Sequence, residues 1–549
     1  MSGVLKLIPR WTQRVTFEAG GRDPLGLDKW SDLLKGQLLS GIVTNNHRAR
    51  YYSFFCWAIW HIDVEEPAKR YRDFIEKWRR REAALALATL AHNARTSPIG
   101  IEMTAPALAK GRVKGEVDTD FLVLKSNILG VFGQHYRGSL YELGLIHRTE
   151  DGLYHVTPAG ESLARTLHTT LEKTPYVKQR LYEAPTLALK DLEKSQSALT
   201  LDAVREKSAP REREELVEAF FKLRGKKVTE RDTWRRHTLA LILHVASEYE
   251  RYGAPAELGQ VDNHIVYPVY YYDVLWLRER KVVPYKCPEL LRPALWLWKQ
   301  FCLQHYFTQA MENLLHCLLW TVSADTSGLP VDDAIDRLIG EGFHKTLREI
   351  AGARYKTPRD LFRSFGIVGV PDERLSARLR KEVGLLAAHS EFNLDRWEQR
   401  PTPLALAARA FATLALLYGK WRGAVGGPAF NSVARQAGAG FWLGSIFSHF
   451  DRWVSADVEW REVMRSLHVE LVLNQHYRVL RERRKPDSVW VRLSEGRIVK
   501  EHDYQATYRT TRHPVAVNIL LDLLLLRSDA GGSLGITKAG RRVLQEVLG

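Results

Sequence analysis

Two short stretches carry acids at spacings able to hold a divalent cation. HIDVEEPAK offers Asp63, Glu65, Glu66 and Lys69, and GEVDTDFLVLK offers Glu116, Asp118, Asp120 and Lys125. Hard cations such as Mg2+ take carboxylate oxygens, and such ions activate phosphodiester cleavage. The second stretch alternates its acids and then runs into an apolar, strand-like segment, which is nearer to a restriction-type nuclease. In a chain with 26% charged residues, the same coincidences arise in solvated turns. A metal-dependent nuclease is therefore kept as an alternative, with no catalytic residue assigned.

Other chemistry finds less support. His237 and His244 are too far apart for a helical i,i+4 metal pair, and there is no HExxH sequence. Neither a GxxxxGK[ST] phosphate loop nor a GxSxG elbow occurs, which weakens an ATPase or esterase reading. HFDRW, His449 to Trp453, sets an acid beside a histidine without a partner cluster and reads as helix surface. Cys56, Cys287, Cys302 and Cys317 form no CxxC pair, so buried reduced thiols are expected rather than a zinc site or disulfide frame. No cofactor or metal is expected on these grounds.

Residues able to hold a polyanion are more numerous. The chain has 80 Lys and Arg against 64 Asp and Glu, a formal charge of +16 over 549 residues, which favours a nucleic-acid partner. One candidate group is Gln134, His135, Tyr136, Arg137 and Ser139, expected on the polar face of a helix, followed by His147 and Arg148 on a hairpin. A second lies near the end, with Arg478, Arg481, Arg483, Arg484 and Lys485 before a strand pair turning at Glu495-Gly496, then Arg509, Arg512 and His513. Exposed cations of this kind release phosphate counterions and bind without regard to sequence. A third, HRARYYSFF, sets Arg48 and Arg50 beside Tyr51 and Tyr52; the core-like spacing of Phe54, Phe55 and Trp57 favours a structural arginine fork over base stacking.

The elements that position these residues include a repeat. LYELGLIHRTEDGLYHVTPAGESLARTL, Leu140 to Leu167, aligns without a gap on LLDLLLLRSDAGGSLGITKAGRRVLQEVL at the tail. Leu143 to Ile146 match Leu523 to Leu526, Asp151-Gly152 match Gly531-Gly532, and Thr157, Ala159 and Gly160 match Thr537, Ala539 and Gly540. In each copy a helix ends at an apolar corner, two short strands alternate around a turn, and a threonine caps a second helix. Pro158 adds a first-turn proline in the first copy. The pattern resembles the latter half of winged-helix domains, over about 45 residues at each site. That resemblance implies a helix for the major groove and a wing beside it. The matching helix of the second copy, PVAVNILLDLLLL, is apolar on nearly every face, which implies burial against the body or a partner, and this module is expected to dock a partner.

The remaining chain reads as helical. Helices are expected from Leu25 to about Ala94, with Thr44 or Asn45 capping the second and one starting near Pro67; Thr96 to Thr119 reads as an irregular connection. Charged helices follow from Glu172 to Gly225, with an initiation signal at Ser208 to Pro210, and another helix over Trp234 to Tyr252. HIVYPVYYYDVLWLRERKVVPY fits either strands or helix. Leu290 to Val322, Val331 to Leu338, Arg374 to Ala388, Leu404 to Tyr418 and Phe441 to Gln475 complete the helices. The fold expected is mainly α and multi-domain, with two winged-helix-like units and short β-hairpins. Its segments are 1–125, 126–170, 171–470 and 471–549.

The two ends also resemble a poorly characterised group of bacterial proteins from restriction-type, anti-phage gene neighbourhoods. The likeness rests on GI-T---RARY--F--W near the start and on R…PVAVNILLDL with its winged-helix-like tail. It implies a defence component and no particular chemistry. The opening MSGVLKLIPRWTQRVTFEAGG lacks a basic region followed by a long apolar run, so secretion is not expected, and PLALAARAFATLALLYGKW, with Arg409 in its middle, is too short for a span and is expected to be a buried helix. The expectation is a cytoplasmic DNA-binding accessory subunit, holding duplex DNA and protein partners, with no membrane contact. A noncatalytic interaction scaffold is the other alternative.

Overall fold

The computed structural model describes residues 23–93, 96–225, 227–254, 256–277, 282–367, 402–424, 440–483, 489–504, 506 and 511–549. It is mainly helical, with a few short strand pairs. In chain order come helices α1 (Asp28–Leu38), α2 (Arg50–Glu65), α3 (Tyr71–His92) and α4 (Ile101–Lys114), then strand β1 (Glu116–Asp118). Next are α5 (Arg137–Glu142), β2 (Ile146–Arg148), β3 (Tyr154–Val156), α6 (Pro158–Leu171) and β4 (Thr186–Ala188), with β4 pairing on β1. Helices α7 (Leu189–Leu199), α8 (Pro210–Phe221) and α9 (Glu230–Arg251) lead to the hairpin β5 (Val274–Trp276) and β6 (Val282–Pro284), and then to α10 (Arg292–Val322).

Strand β7 (Leu329–Pro330) precedes α11 (Val331–Leu338), α12 (Glu341–Ala351), α13 (Pro358–Ser364), α14 (Pro403–Trp421), α15 (Gly440–Ser455), α16 (Trp460–Arg465) and α17 (Asn474–Arg483). Strands β8 (Val491–Ser494) and β9 (Arg497–Lys500) follow, and the tail carries α18 (His513–Asp522), β10 (Leu526–Ser528), β11 (Leu534–Ile536) and α19 (Lys538–Leu548). Among the described residues no helix is long and apolar enough to cross a membrane.

Two compact units result, neither contiguous in sequence: Asp32–Cys302 with Thr510–Gly549, and Met1–Ser31 with Leu303–Arg509. The smaller unit has an aromatic centre. Phe411 of α14 lies 5.4 Å from Trp460, 6.0 Å from Phe362, 6.0 Å from Phe450 and 6.4 Å from Phe343, ring centre to ring centre. Its three-stranded sheet has the order β7-β9-β8. Glu495 and Gly496, both at positive φ, make the β8 to β9 turn, and Gln475 and His476 of α17 hold the carbonyls of Leu25 and Pro24.

The larger unit contains both copies of the repeat. Ile146 pairs with Val156 and Leu526 with Ile536; Arg148 pairs with Tyr154 and Ser528 with Leu534. Thr157 accepts from the Gly160 N–H at 3.3 Å and Thr537 from the Gly540 N–H at 3.0 Å. The shared glycine has a steric cause: a Cβ at Gly160 would stand 2.0 Å from the Leu145 carbonyl oxygen, and one at Gly540 2.1 Å from that of Leu525. Only a bare backbone lets the second helix close onto the corner. Each copy also packs on a long helix, α6 and β3 on α2, α19 and β11 on α9. An acid near the end of that helix ties the hairpin down, Asp63 to His155 and Glu250 to Arg527 and Arg541.

The loop between Gly41 and Ala49 is held by both copies. The residues ending α5 and α18, Glu142 and Asp522, occupy matching places; Glu142 accepts from the Gly41 N–H, and Asp522 accepts from the Ala49 N–H at 2.8 Å. Asp522 is fully buried and also takes Arg48 at 3.0 Å and Arg205 at 2.7 Å. Arg48 extends to Asp202 at 2.8 Å, and buried Arg50 pairs with buried Glu212 at 3.2 Å. The arginines of HRARYYSFF are thus internal ties, as the spacing of the neighbouring aromatics indicated. Burial of a charge demands such partners.

Several local expectations change. Thr96 to Thr119 is largely the helix α4 and strand β1, with Gly100 and Gly115 bounding the helix rather than breaking it. Helix α2 begins after Ala49 with no side-chain cap, so Thr44 and Asn45 do not cap it, and α3 starts at Tyr71, after the Pro67 turn. The ambiguous aromatic stretch divides into a π-helix, Asp262–Tyr271, and the β5-β6 hairpin. Phe441 to Gln475 is broken after Ser455 and contains a π-helix at Ser466–Leu473. The expected helix at Arg374 to Ala388 lies outside the described residues.

Asp522→Ala removes the buried acceptor of Arg48 and of the Ala49 N–H, and is expected to cost about 3 kcal/mol or more of stability in urea unfolding. Glu161→Ala, which removes an exposed i,i+4 pair with Arg165, is expected to stay within about 0.5 kcal/mol.

Candidate nucleic-acid interface

Gln134, Arg137, His147 and Arg148 are all exposed on the first copy of the repeat. Their placement begins at a buried acid. Glu82 of α3 accepts from the backbone N–H of Phe132 at 3.1 Å and from that of Val131. Gly130, at φ +57°, lets the chain pass: a Cβ there would fall 1.7 Å from a Glu82 carboxylate oxygen. With burial outweighing these donors, the Glu82 carboxyl is pushed up to about 8.

The segment then winds as a π-helix, Phe132–Tyr136, before α5. The wider turn changes the helical phase, so Tyr136 and Ser139, expected on the polar face, point inward. Tyr136 packs 4.9 Å from Tyr51 and 5.1 Å from Tyr52, and Ser139 accepts from Asn46 at 2.7 Å. His135 is half-buried and within hydrogen-bond reach of Asn45. Gln134 accepts from Ser126 at 2.8 Å.

Tyr154 braces both arginines. Its hydroxyl accepts from Arg137 at 3.2 Å, and that hydrogen bond raises the Arg137 pKa. The Arg148 guanidinium lies 5.5 Å from the centre of the Tyr154 ring and 5.9 Å from that of Tyr71, while its Nε donates to the Gly152 carbonyl at 2.9 Å. Planar cations seated on aromatic faces are pre-organised for phosphate oxygens. On the other face of the hairpin His147 lies directly across from His155.

The second copy offers no such surface. Arg527, at the place of His147, is paired to Glu250, and Val517, at the place of Arg137, is buried. Apolar α18 is buried against its own unit through Val515, Ala516, Val517, Ile519 and Leu520.

The carboxy-terminal basic residues separate. Arg481 is exposed in the smaller unit, and Arg478 pairs with Glu482 at 3.6 Å. Arg483 ends α17, while Arg484, Lys485 and Arg509 lie outside the described residues. Arg512 belongs to the larger unit, half-buried at φ +66°, donating to the Ile42 carbonyl at 3.2 Å. Burial lowers its pKa. It is an internal tie, and its neighbour His513 is wholly buried 4.3 Å from the Trp298 ring, with its pKa lowered to about 3 by burial.

Neither acid stretch gathers into a metal site. Asp63 bonds His155, Glu65 pairs with Arg180, Glu66 with Arg81 and Lys77, and Asp120 with Arg79. Phe121 to Leu124, read as strand-like, forms no strand, and β1 has three residues on a two-stranded edge. Among the described residues the acids that do converge are Asp23, Asp28 and Glu312 of the smaller unit, with oxygens within 4.8 Å of one another. Asp23 also accepts the Leu27 and Asp28 N–H groups at the start of α1. Cys56, Cys302 and Cys317 are buried and not in disulfides, and Cys287 is a half-buried thiol, pushed up to about 11 by burial.

Sequence reasoning did not single out Tyr71, Tyr154 or Glu82. Tyr154 had a signal, since its alternation with Val156 on the strand places it on the inner face. No family model, no curated protein and no solved structure matches the chain.

Glu82 ties the presented helix to pH. An unfolded chain ionises this carboxyl near 4.5, well below its folded value of about 8, so the unfolded state loses its proton first. Stability is expected to fall as pH rises across that window, by up to about 1.4 kcal/mol per pH unit, and to level off above it. Glu82→Gln should lack this component when urea unfolding is compared from pH 5 to pH 9; equal slopes in the two proteins would show that Glu82 does not titrate this way.

Proposed function

We propose that the chain is a DNA-binding accessory subunit of a bacterial anti-phage defence complex. In this reading the first repeat copy is a winged-helix unit, α5 with its π-turn approaches the groove, and the β2-β3 hairpin is the wing. The observation that carries the reading is the exposed pair Arg137 and Arg148, both braced by Tyr154 and flanked by Gln134. Guanidinium groups held in this way suit phosphate oxygens, and glutamine suits adenine or a backbone contact. The charge of +16 supplies a long-range attraction for duplex DNA. Arg481, Arg483, Arg484, Lys485 and Arg509 are proposed as phosphate contacts in their own right, independent of the first repeat copy. The defence setting, with its cytoplasmic location and protein partners, rests on the likeness of the two chain ends to proteins of such gene neighbourhoods.

Fluorescence anisotropy with a labelled duplex tests the reading. Wild-type protein should bind at about 50 mM salt and weaken steeply by about 200 mM. Arg137→Ala with Arg148→Ala should lower affinity across unrelated sequences and reduce the salt slope by about one for each contact removed. Absence of binding at low salt, or a double variant that binds like the parent, would overturn it.

A further inference from the structure

The outer face of the β2-β3 hairpin carries a second constellation, which shares His147 with the candidate nucleic-acid interface. His147 and His155 are direct cross-strand partners, so their side chains project from one face of the hairpin. Their ring centres are 5.7 Å apart with 33° between the planes. Asp63, near the end of α2, places a carboxylate oxygen 2.9 Å from His155 Nδ1. His147 is exposed and the other two are partly so, which leaves the site open to solvent ions.

We propose that His147 and His155 form a two-imidazole site for a borderline divalent cation of the zinc class, with Asp63 as the carboxylate that orients His155. Two imidazoles bound to one zinc, each through a Zn–N bond of about 2.1 Å, set their ring centres on the order of 5–6 Å apart at a near-tetrahedral angle. The 5.7 Å separation of the two ring centres falls within that range. A carboxylate on Nδ1 fixes the proton there and presents Nε2 as the ligating nitrogen, the usual arrangement behind a metal-bound histidine. With two protein ligands, water completes the shell, and binding needs both imidazoles neutral. Imidazole suits zinc, nickel or copper better than magnesium or calcium, which prefer oxygen. The site stands whether or not the wing meets DNA.

The test is calorimetric titration of Zn2+ into full-length, chelator-stripped protein, with His147→Ala, His155→Ala and Asp63→Ala alongside. Wild type should show a component that either histidine variant weakens at least tenfold and that Asp63→Ala weakens about tenfold, the usual size of an outer-sphere loss. It should fade as the solution is acidified, because the ligands protonate. As a check independent of heats, Zn2+ should raise the Tm of wild type and not that of His147→Ala, whose Tm without zinc should equal the parent's because the side chain is exposed. Titrations indistinguishable between wild type and the histidine variants, or no zinc binding by wild type, would overturn the proposal.

Discussion

The larger unit depends on one buried carboxylate. Asp522 has no solvent to share its charge, so three donors must reach it: the Ala49 N–H, Arg48 and Arg205. Those donors come from the loop before α2 and from the turn before α8, and the acceptor comes from the tail. The loop can hold its course only with the tail in place, because an isolated Arg48 or an isolated Asp522 inside protein is costly. Glu142 performs the matching task for Gly41 from the other repeat copy. A single loop is therefore gripped at both ends by equivalent acids of two related modules.

The copies share a backbone and differ in what they expose. Both need a bare glycine where the second helix meets the corner, and both anchor their hairpin to an acid near the end of a long helix. In the first copy the preceding helix keeps one face in solvent, and the tyrosines beneath it hold arginines outward. In the second the same helix is apolar and enclosed, and the hairpin arginine is neutralised by Glu250. Burial of α18 supplies apolar area that strengthens the unit, at the expense of any surface role for that helix.

What the sequence disclosed was what local chemistry determines. Asp151-Gly152, Thr157 with Gly160, and their tail counterparts act over a few residues, so both hairpins and both caps were legible. The mainly helical class followed from periodicity, as did the burial of the second helix, though its apolar face is covered by its own unit and not left for a docking partner. Tyr136 and Ser139 were placed on the wrong face because a π-turn shifts the phase of a helix, and no residue pattern announced it. The helix α4 was hidden because its glycines sit at its ends and against β1. Arg512 looked like any exposed cation, since its carbonyl partner at Ile42 is remote in sequence. The pairing of Asp120 with Arg79, and of Glu65 with Arg180, is equally nonlocal; adjacent acids imitated a metal cluster that folding takes apart.

The grip on the loop before α2 sets an order of events during synthesis. Arg48 leaves the ribosome well before Asp522, which lies 474 positions further along the chain. At about 5–20 residues per second the interval is on the order of tens of seconds. Throughout it the first repeat copy, with its hairpin and caps, can form from neighbouring residues, whereas the loop beside it lacks half of its partners. Contacts of such long sequence separation form slowly, so those of Asp522 with Ala49 and Arg48 are expected among the later ones. A chain without residues 510–549 would keep the first hairpin and its caps while the loop before α2 lacked its Asp522 acceptor.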